Sequence, residues 1–461
     1  MKIVVIGGGP GGYVAAIRAA QLGAEVTLIE RDRMGGTCLN VGCIPTKALL
    51  RTAELLTEAR DAAKHGVIAT PVLDFPAAQA AKTAVVDKLV GGVEGLMKVN
   101  KVRVVRASAR FTGPKSLVAD GEDVPFDKVI IASGSVPAMP PIPGADGPAC
   151  VDSTGALAFD SPPERLVIVG GGVIGVELAS IYAAMGTQVS IVEMLDEILP
   201  PMDRELAAAL RAKLVGAGLS IRTGATVLRI EPRGAGASVM VKDGDATLAL
   251  EADKVLVAVG RRANTEGLGL DAAGVTLDRG CIEVDAGQRT NVEGIYAIGD
   301  CTGGAMLAHV ASAQGEVAAE NAMGGAASYD GRTNPSCVYT NPELAGVGLT
   351  EEQARAGRGD GVRVGRFPLA ANGKALILGG EGMVKVIADA EFGKILGVHI
   401  FGPRATDLIA EAAVAIGAEA TLDDVAAVIH AHPTVAEAVR EAVLATLGRA
   451  IHVRNPRARK A

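Results

Sequence analysis

Hydrophobic and polar positions follow two alternating periods along this chain, and the same alternation occurs twice. Residues 2–30 read KIVVIGGGPGGYVAAIRAAQLGAEVTLIE, and residues 165–193 read RLVIVGGGVIGVELASIYAAMGTQVSIVE. The two stretches align without a gap. Each is a short apolar run, a glycine cluster, a stretch at helical spacing, a glycine, a second apolar run and a final glutamate. This predicts a strand–helix–strand unit written twice. Gly23 and Gly186 fall where the two helices would end, as a left-handed cap requires.

The pattern also divides the rest of the chain. Residues 31–148 continue the first unit, with a helix expected near 45–63. The run Lys128 to Ser135 reads as a buried strand entering a small-residue turn, and the proline-rich stretch 137–147 as a connection between domains. The second unit extends to about residue 268, with a strand and turn at Val255 to Gly260. Residues 291–300 form another apolar strand ending in an acid. From Ser336 the pattern changes. A hairpin is expected between 382–388 and 394–400, turning near Phe392-Gly393, followed by helices near 404–417, 421–429 and 434–447. The expected architecture is α/β. It has two dinucleotide-type domains, 1–148 with 269–335 and 149–268, and a C-terminal α+β domain over 336–461.

Composition narrows the function. A length of 461 residues suits about three domains. Only 3% of residues are aromatic and none is Trp, which excludes an aromatic platform for single strands. A formal charge of −7 argues against nucleic acid as a partner. Six cysteines are too few for a disulfide scaffold in a chain this long. No apolar run approaches the ~18 residues of a membrane span. The apolar stretch Ile3 to Ile6 stops too early for a signal core, so a cytoplasmic protein is expected. The basic end, Arg454 to Lys460, reads as a solvated tail.

The glycine turns carry the first chemistry. Gly7, Gly9 and Gly12 spell G-x-G-x-x-G, as do Gly170, Gly172 and Gly175. The first glycine allows the tight turn, the second lets backbone approach a pyrophosphate, and the third lets helix pack on strand. The helix N-terminus attracts the anion. Glu30 and Glu193 end the second strands, placed to accept hydrogen bonds from a ribose 2′-hydroxyl. A lone fingerprint is weak evidence for a dinucleotide. Two fingerprints with strand, helix, cap and acid in place are strong. Glu193 repels a 2′-phosphate, and the following Met194 to Glu197 offers no Arg, so NAD is favoured over NADP.

Residues 35–47 read GGTCLNVGCIPTK and bring Cys38 close to Cys43. Gly42 lets the backbone bend, and Pro45 suits the first turn of a following helix. A thiol at such an N-terminus reacts as thiolate. Two buried free cysteines or half of a zinc site are the competing readings. No second Cys or His pair at ligand spacing accompanies them, so no metal is expected. A second candidate lies at His430-Ala431-His432-Pro433-Thr434-Val435-Ala436-Glu437. Deprotonating a dithiol calls for a base that titrates near neutrality, such as His432 with Glu437 orienting its ring. Thr434 and Glu437 equally spell a capping box for the last helix. His430 would point elsewhere.

With these pieces the chain resembles the pyridine nucleotide–disulfide oxidoreductases over essentially its whole length. The resemblance rests on GGTCLNVGCIPTKALL, GGGVIGVELAS, IYAIGD, MLAH at 306–309 and HAHPTVAE at 430–437. It is greatest for the branch that oxidises dihydrolipoamide. It implies FAD at the first unit, with Glu30 on the adenosine ribose and Gly113, Ser133, Gly134 and Asp300 as further contacts. Met306, Leu307, Ala308 and His309 would line the isoalloxazine. NAD would lie at the second unit, against Gly170, Gly172, Gly175, Glu193, Val227 and Gly260. Cys38 and Cys43 would form the redox disulfide, with Cys43 against the flavin and Cys38 outermost. Lys47 and Glu177 would pair beside the flavin's reactive nitrogen, though sequence alone would leave both on the surface. The tail domain would make a homodimer in which His432, with Glu437, completes the other subunit's site. Cys301 would be bystander packing.

The reaction so implied is oxidation of protein-bound dihydrolipoamide to lipoamide with reduction of NAD⁺. The implied partner is a lipoyl domain on an acyltransferase or a glycine-cleavage carrier protein. A reductase for another disulfide is the first alternative. Glutathione reductases would need a basic cofactor loop where Glu193 stands, and mercuric reductases add a C-terminal cysteine pair, whereas no cysteine follows Cys337. A non-catalytic flavoprotein redox sensor is the second, and it would not need the His432 segment. One departure from the family pattern is Ala263, where a proline is usual.

Overall fold

A computed structural model describes residues 1–455. The basic end singled out above therefore lies mostly outside the described residues. The two repeated units fold alike, down to strand register. Lys2 pairs with Glu25 through Ile6 with Ile29, and Arg165 pairs with Gln188 through Val169 with Val192, all in parallel. Each unit forms the middle of a five-stranded parallel sheet. The first sheet runs in the order 295–297, 128–131, 2–6, 25–30, 103–106. The second runs 220–222, 188–192, 165–169, 254–257, 150–151. Strand 295–297 thus returns from late in the chain to complete the first sheet. Near-continuous apolar strands such as KIVVI and RLVIV suit sheets covered on both faces.

The third sheet has five antiparallel strands, in the order 336–338, 343–348, 395–402, 383–389, 362–368. The expected hairpin is present as Met383–Asp389 and Ile395–Gly402, with Gly393 at φ +70° in its turn. Helices Ala405–Gly417, Leu422–Ala427 and Glu437–Thr446 cover this sheet. The last begins later than the pattern suggests. Its approach is irregular because the Thr434 hydroxyl turns back to the Ala431 carbonyl at 2.7 Å.

Two packing contacts position the site. Helix Cys43–Asp61 buries Leu49, Leu50, Ala53 and Leu56 in one core with Leu178, Ile181 and Tyr182 of helix Val173–Ala184. Val338 and Leu344 of the third sheet join that core. Helix Ala308–Ala322 lies against helix Pro10–Gln21 at backbone distance. A Cβ on Gly315 would sit 2.7 Å from the Gly11 carbonyl oxygen. No helix among the described residues is long and apolar enough to cross a membrane.

Candidate active site

One continuous cavity of about 1950 Å³ runs between the two glycine turns. Gly7 and Gly9 line one end, Gly170 and Gly172 the other. Gly12 and Gly175 stand back from it and act through packing. A Cβ on Gly12 would sit 1.9 Å from the Gly7 carbonyl oxygen, and one on Gly175 would sit 2.3 Å from that of Gly170. Both helices start at a glycine N-cap, Gly9 and Gly172, with no side chain capping the first-turn amides. Those amides are left for an anion, so the backbone fits a dinucleotide pyrophosphate at each turn.

The two glutamates do more than end their strands. Glu30 accepts the Gly8 amide at 2.6 Å and the Asp32 amide at 2.8 Å. Glu193 accepts the Gly171 amide at 2.6 Å and the Leu195 amide at 2.8 Å. Each carboxylate therefore fastens its own glycine turn while lining the cavity. Ser133, Gly134, Asp300, Met306, Leu307, Ala308 and His309 line it as well, and so do Val227 and Gly260. The His309 ring meets the Pro335 carbonyl at 2.9 Å, and burial pulls its pKa down. Gly113 is the exception. It ends strand Ala109–Gly113 away from the cavity, whose wall is formed there by Ala107, Ser108 and Ala109.

The cysteines occupy the middle of the cavity. Cys38 sits on the short helix Gly36–Val41, and Cys43 is the first residue of helix Cys43–Asp61, with Gly42 bending the chain between them. Both are free thiols, close enough that each shifts the other's ionisation. That contact lowers the Cys43 pKa, helped by the Lys47 charge against the effect of burial. It raises that of Cys38, as does burial. Ionisation is therefore favoured at Cys43 over Cys38. Cys301 is fully buried, with its Sγ donating to the Ile298 carbonyl at 3.2 Å and its pKa pushed up by burial to about 11.

Lys47 Nζ lies 2.6 Å from Glu177 Oε2 across the packed helix pair, and the Glu177 side chain is only 4% exposed. Burial raises the Glu177 pKa against the pull of Lys47. Three neighbours escaped the sequence. The Tyr339 amide donates to Glu177 Oε1 at 2.9 Å. The Arg261 guanidinium donates to the Ser135 hydroxyl at 2.7 Å, and that hydroxyl donates in turn to Asp300. Arg261 directly follows Gly260, which was the one available signal.

His432 and Glu437 lie apart from this cavity. His432 Nδ1 is 3.0 Å from Glu437 Oε1, and the His432 side chain is 80% exposed. Glu437 Oε2 accepts the Thr434 amide at 2.9 Å. The carboxylate thus makes one half of the capping box while holding the histidine. The other half is missing, because the Thr434 hydroxyl is engaged with Ala431. His430 turns the other way, 2.7 Å from Glu411.

Comparison with known proteins agrees with this geometry. A model described as pyridine nucleotide-disulphide oxidoreductase matches residues 1–315, and one for the family's dimerisation domain matches 334–443. A dihydrolipoyl dehydrogenase of Thermus scotoductus is 48% identical over 98% of this chain and 99% of that protein. One of Haloferax volcanii is 46% identical, covering 98% of both. Among solved structures, LpdA of Mycobacterium tuberculosis superposes with a TM-score of 0.89 at 30% identity, over 96% of this chain and 99% of that one. The flavoprotein disulfide reductase RclA of Escherichia coli gives 0.86 at 31%, over 96% and 99%. Repeated dinucleotide folds, a cysteine pair between them and full-length similarity lead to one conclusion: this chain belongs to the pyridine nucleotide–disulphide oxidoreductase family.

Proposed function

We propose that this protein oxidises dihydrolipoamide to lipoamide and reduces NAD⁺, working as a homodimer in the cytoplasm on the lipoyl arm of an acyltransferase or glycine-cleavage carrier protein. The observation that carries this reading is the combination of a cysteine pair at the start of helix Cys43–Asp61, with Lys47 one turn along, and a histidine–glutamate pair on the dimerisation domain. Full-length similarity to proteins named dihydrolipoyl dehydrogenase selects the substrate.

The chain's own residues would act in sequence. The cycle would start from the oxidised form of the pair, a Cys38–Cys43 disulfide in place of the two thiols of this structure. Glu437 engages His432 Nδ1, leaving Nε2 to take a proton. His432 of the partner subunit removes the proton from one substrate thiol, and the resulting thiolate attacks Cys38 Sγ. The Cys38–Cys43 bond breaks, and Cys43 leaves as thiolate, favoured by Lys47 and the helix N-terminus. The second substrate thiol then displaces Cys38, its proton passing to the leaving Cys38 sulfur, and the disulfide of lipoamide closes. FAD bound at the first glycine turn would supply a two-electron acceptor as Cys38 and Cys43 give up a proton and re-form their disulfide, and NAD⁺ bound at the second would be the final hydride acceptor. Asp300, held by Ser135, and Glu30 would bind the first group, and Glu193 the second.

The test is a steady-state assay of NADH formation from dihydrolipoamide. Cys38→Ser should abolish it while NADH still bleaches the flavin. Retained dithiol oxidation in that variant would contradict the reading.

A further inference from the structure

The Lys47–Glu177 pair is gripped from both ends by a single residue of the third domain. Lys47 comes from the first dinucleotide unit and Glu177 from the second. Tyr339 follows strand Ser336–Val338 of the antiparallel sheet. Its amide donates to Glu177 Oε1 at 2.9 Å, and its ring centroid lies 4.4 Å from Lys47 Nζ. A lysine has four rotatable bonds and three donor hydrogens, so one carboxylate oxygen does not fix where its charge sits. Here the carboxylate is itself fixed by a second bond, and the ammonium is capped by a π-face. Such a face attracts a cation at this distance. Tyr339 also lines the cavity.

We propose that Tyr339 is a positioning residue that fixes the Lys47 ammonium, one helical turn along from Cys43, so that the dimerisation domain tunes the thiolate. The role belongs to the ring face and the backbone amide. The hydroxyl is not required, and its pKa is pushed up by burial to about 12, which keeps it neutral. The direction of the effect follows from charge. With the ring gone, Lys47 gains freedom to swing away, and Cys43 loses the cation that favours its ionised form. This inference rests on the dithiol–flavin reading above, but not on which disulfide is the substrate.

The test uses the FAD-loaded dimer reduced with one equivalent of dithiothreitol. The long-wavelength absorbance of thiolate beside oxidised flavin is titrated against pH. In the wild type the midpoint should lie below that of an ordinary thiol, near 8.5. Tyr339→Leu should move it up by about one pH unit, the order expected for loss of a cation–π contact. Tyr339→Phe should leave it in place. Tyr339→Met, which fills the space without a π-face, should match Tyr339→Leu and serves if the latter does not fold. In a Lys47→Met background, Tyr339→Leu should add nothing. An unmoved midpoint in folded Tyr339→Leu or Tyr339→Met overturns the proposal, as does a shift in Tyr339→Phe of the same size. Absence of the band in the wild type overturns the parent reading along with it.

Discussion

Glu437 holds His432 through one carboxylate oxygen, at 3.0 Å from Nδ1. Its other oxygen takes the Thr434 amide, and that bond first, then the histidine, keeps its pKa below the ordinary carboxylate range. Glu437 is therefore ionised throughout the range where histidine titrates. Replacing His432 by Gln should lower kcat with dihydrolipoamide by roughly 10²–10⁴-fold. Glu437→Gln should lose less, because the ring keeps a partner at Nδ1 but loses the carboxylate that favours the charged imidazolium as the proton is taken. Steady-state rates at saturating dihydrolipoamide check both. A Glu437→Gln rate equal to the wild type's would count against the pairing.

Glu193 binds the Gly171 and Leu195 amides at the far turn. Glu193→Gln keeps the side chain's shape and removes its charge. The variant should lose NAD⁺ binding by about tenfold or more, since hydrogen bonds to charged groups contribute about 1.5–3 kcal/mol. It should also narrow the preference over NADP⁺. The ratio of kcat/KM for the two nucleotides measures this. A ratio equal to the wild type's would remove Glu193 from specificity.

A third prediction concerns the joint between the second and third domains. Lys385 is 2% exposed and lies 2.7 Å from Asp203. Glu205 and Glu351 close around it at 2.5 and 3.2 Å. Burial alone would raise all three carboxyls, but Lys385 and its neighbours hold them below the ordinary range. Depressed carboxyls add stability above their unfolded pKa, near 4, and lose it as pH falls through the lower folded value. Lys385→Met leaves the Asp203 charge uncompensated and should cost about 3–5 kcal/mol at neutral pH. The penalty should shrink on acidification, because without Lys385 burial raises the Asp203 pKa and the variant's carboxyl protonates first. Thermal midpoints at pH 7.5 and 5 give the two values. A penalty that grows at pH 5 would contradict this account.

Helix Phe75–Val99 offers a gain instead of a loss. Gly92 sits in its middle, and a Cβ there meets nothing within 4 Å. Gly92→Ala should raise stability by about 0.5–1 kcal/mol, chiefly by restricting the unfolded chain. A lower thermal midpoint would show that the glycine has another use.

That helix also marks where the sequence is hard to read. Its 25 residues keep the helical period, with Val86, Val90, Val93 and Met97 buried along one face, but Gly91, Gly92 and Gly95 lower its helix propensity and hide it. The glycine turns are legible because their chemistry is local: spacing, strand and cap lie within thirty residues and occur twice. Lys47–Glu177 is not legible from the residues themselves, since the partners are 130 positions apart and meet only when two helices pack. Only the resemblance places them together. Tyr339, just after one distant strand, and Arg261, at the start of another, act on that middle region, and no local pattern announces them. The choice between capping box and base at Glu437 could not be made from spacing, because one carboxylate serves the cap with one oxygen and the histidine with the other.

The most direct measurement of the central claim is a stopped-flow spectrum of the FAD-loaded protein mixed anaerobically with dihydrolipoamide. A long-wavelength absorbance should appear within milliseconds, as Cys43 becomes a thiolate beside oxidised flavin. It should decay when NAD⁺ is added and persist with NADP⁺. A spectrum that dihydrolipoamide leaves unchanged, in protein whose flavin NADH still reduces, would contradict the assigned substrate.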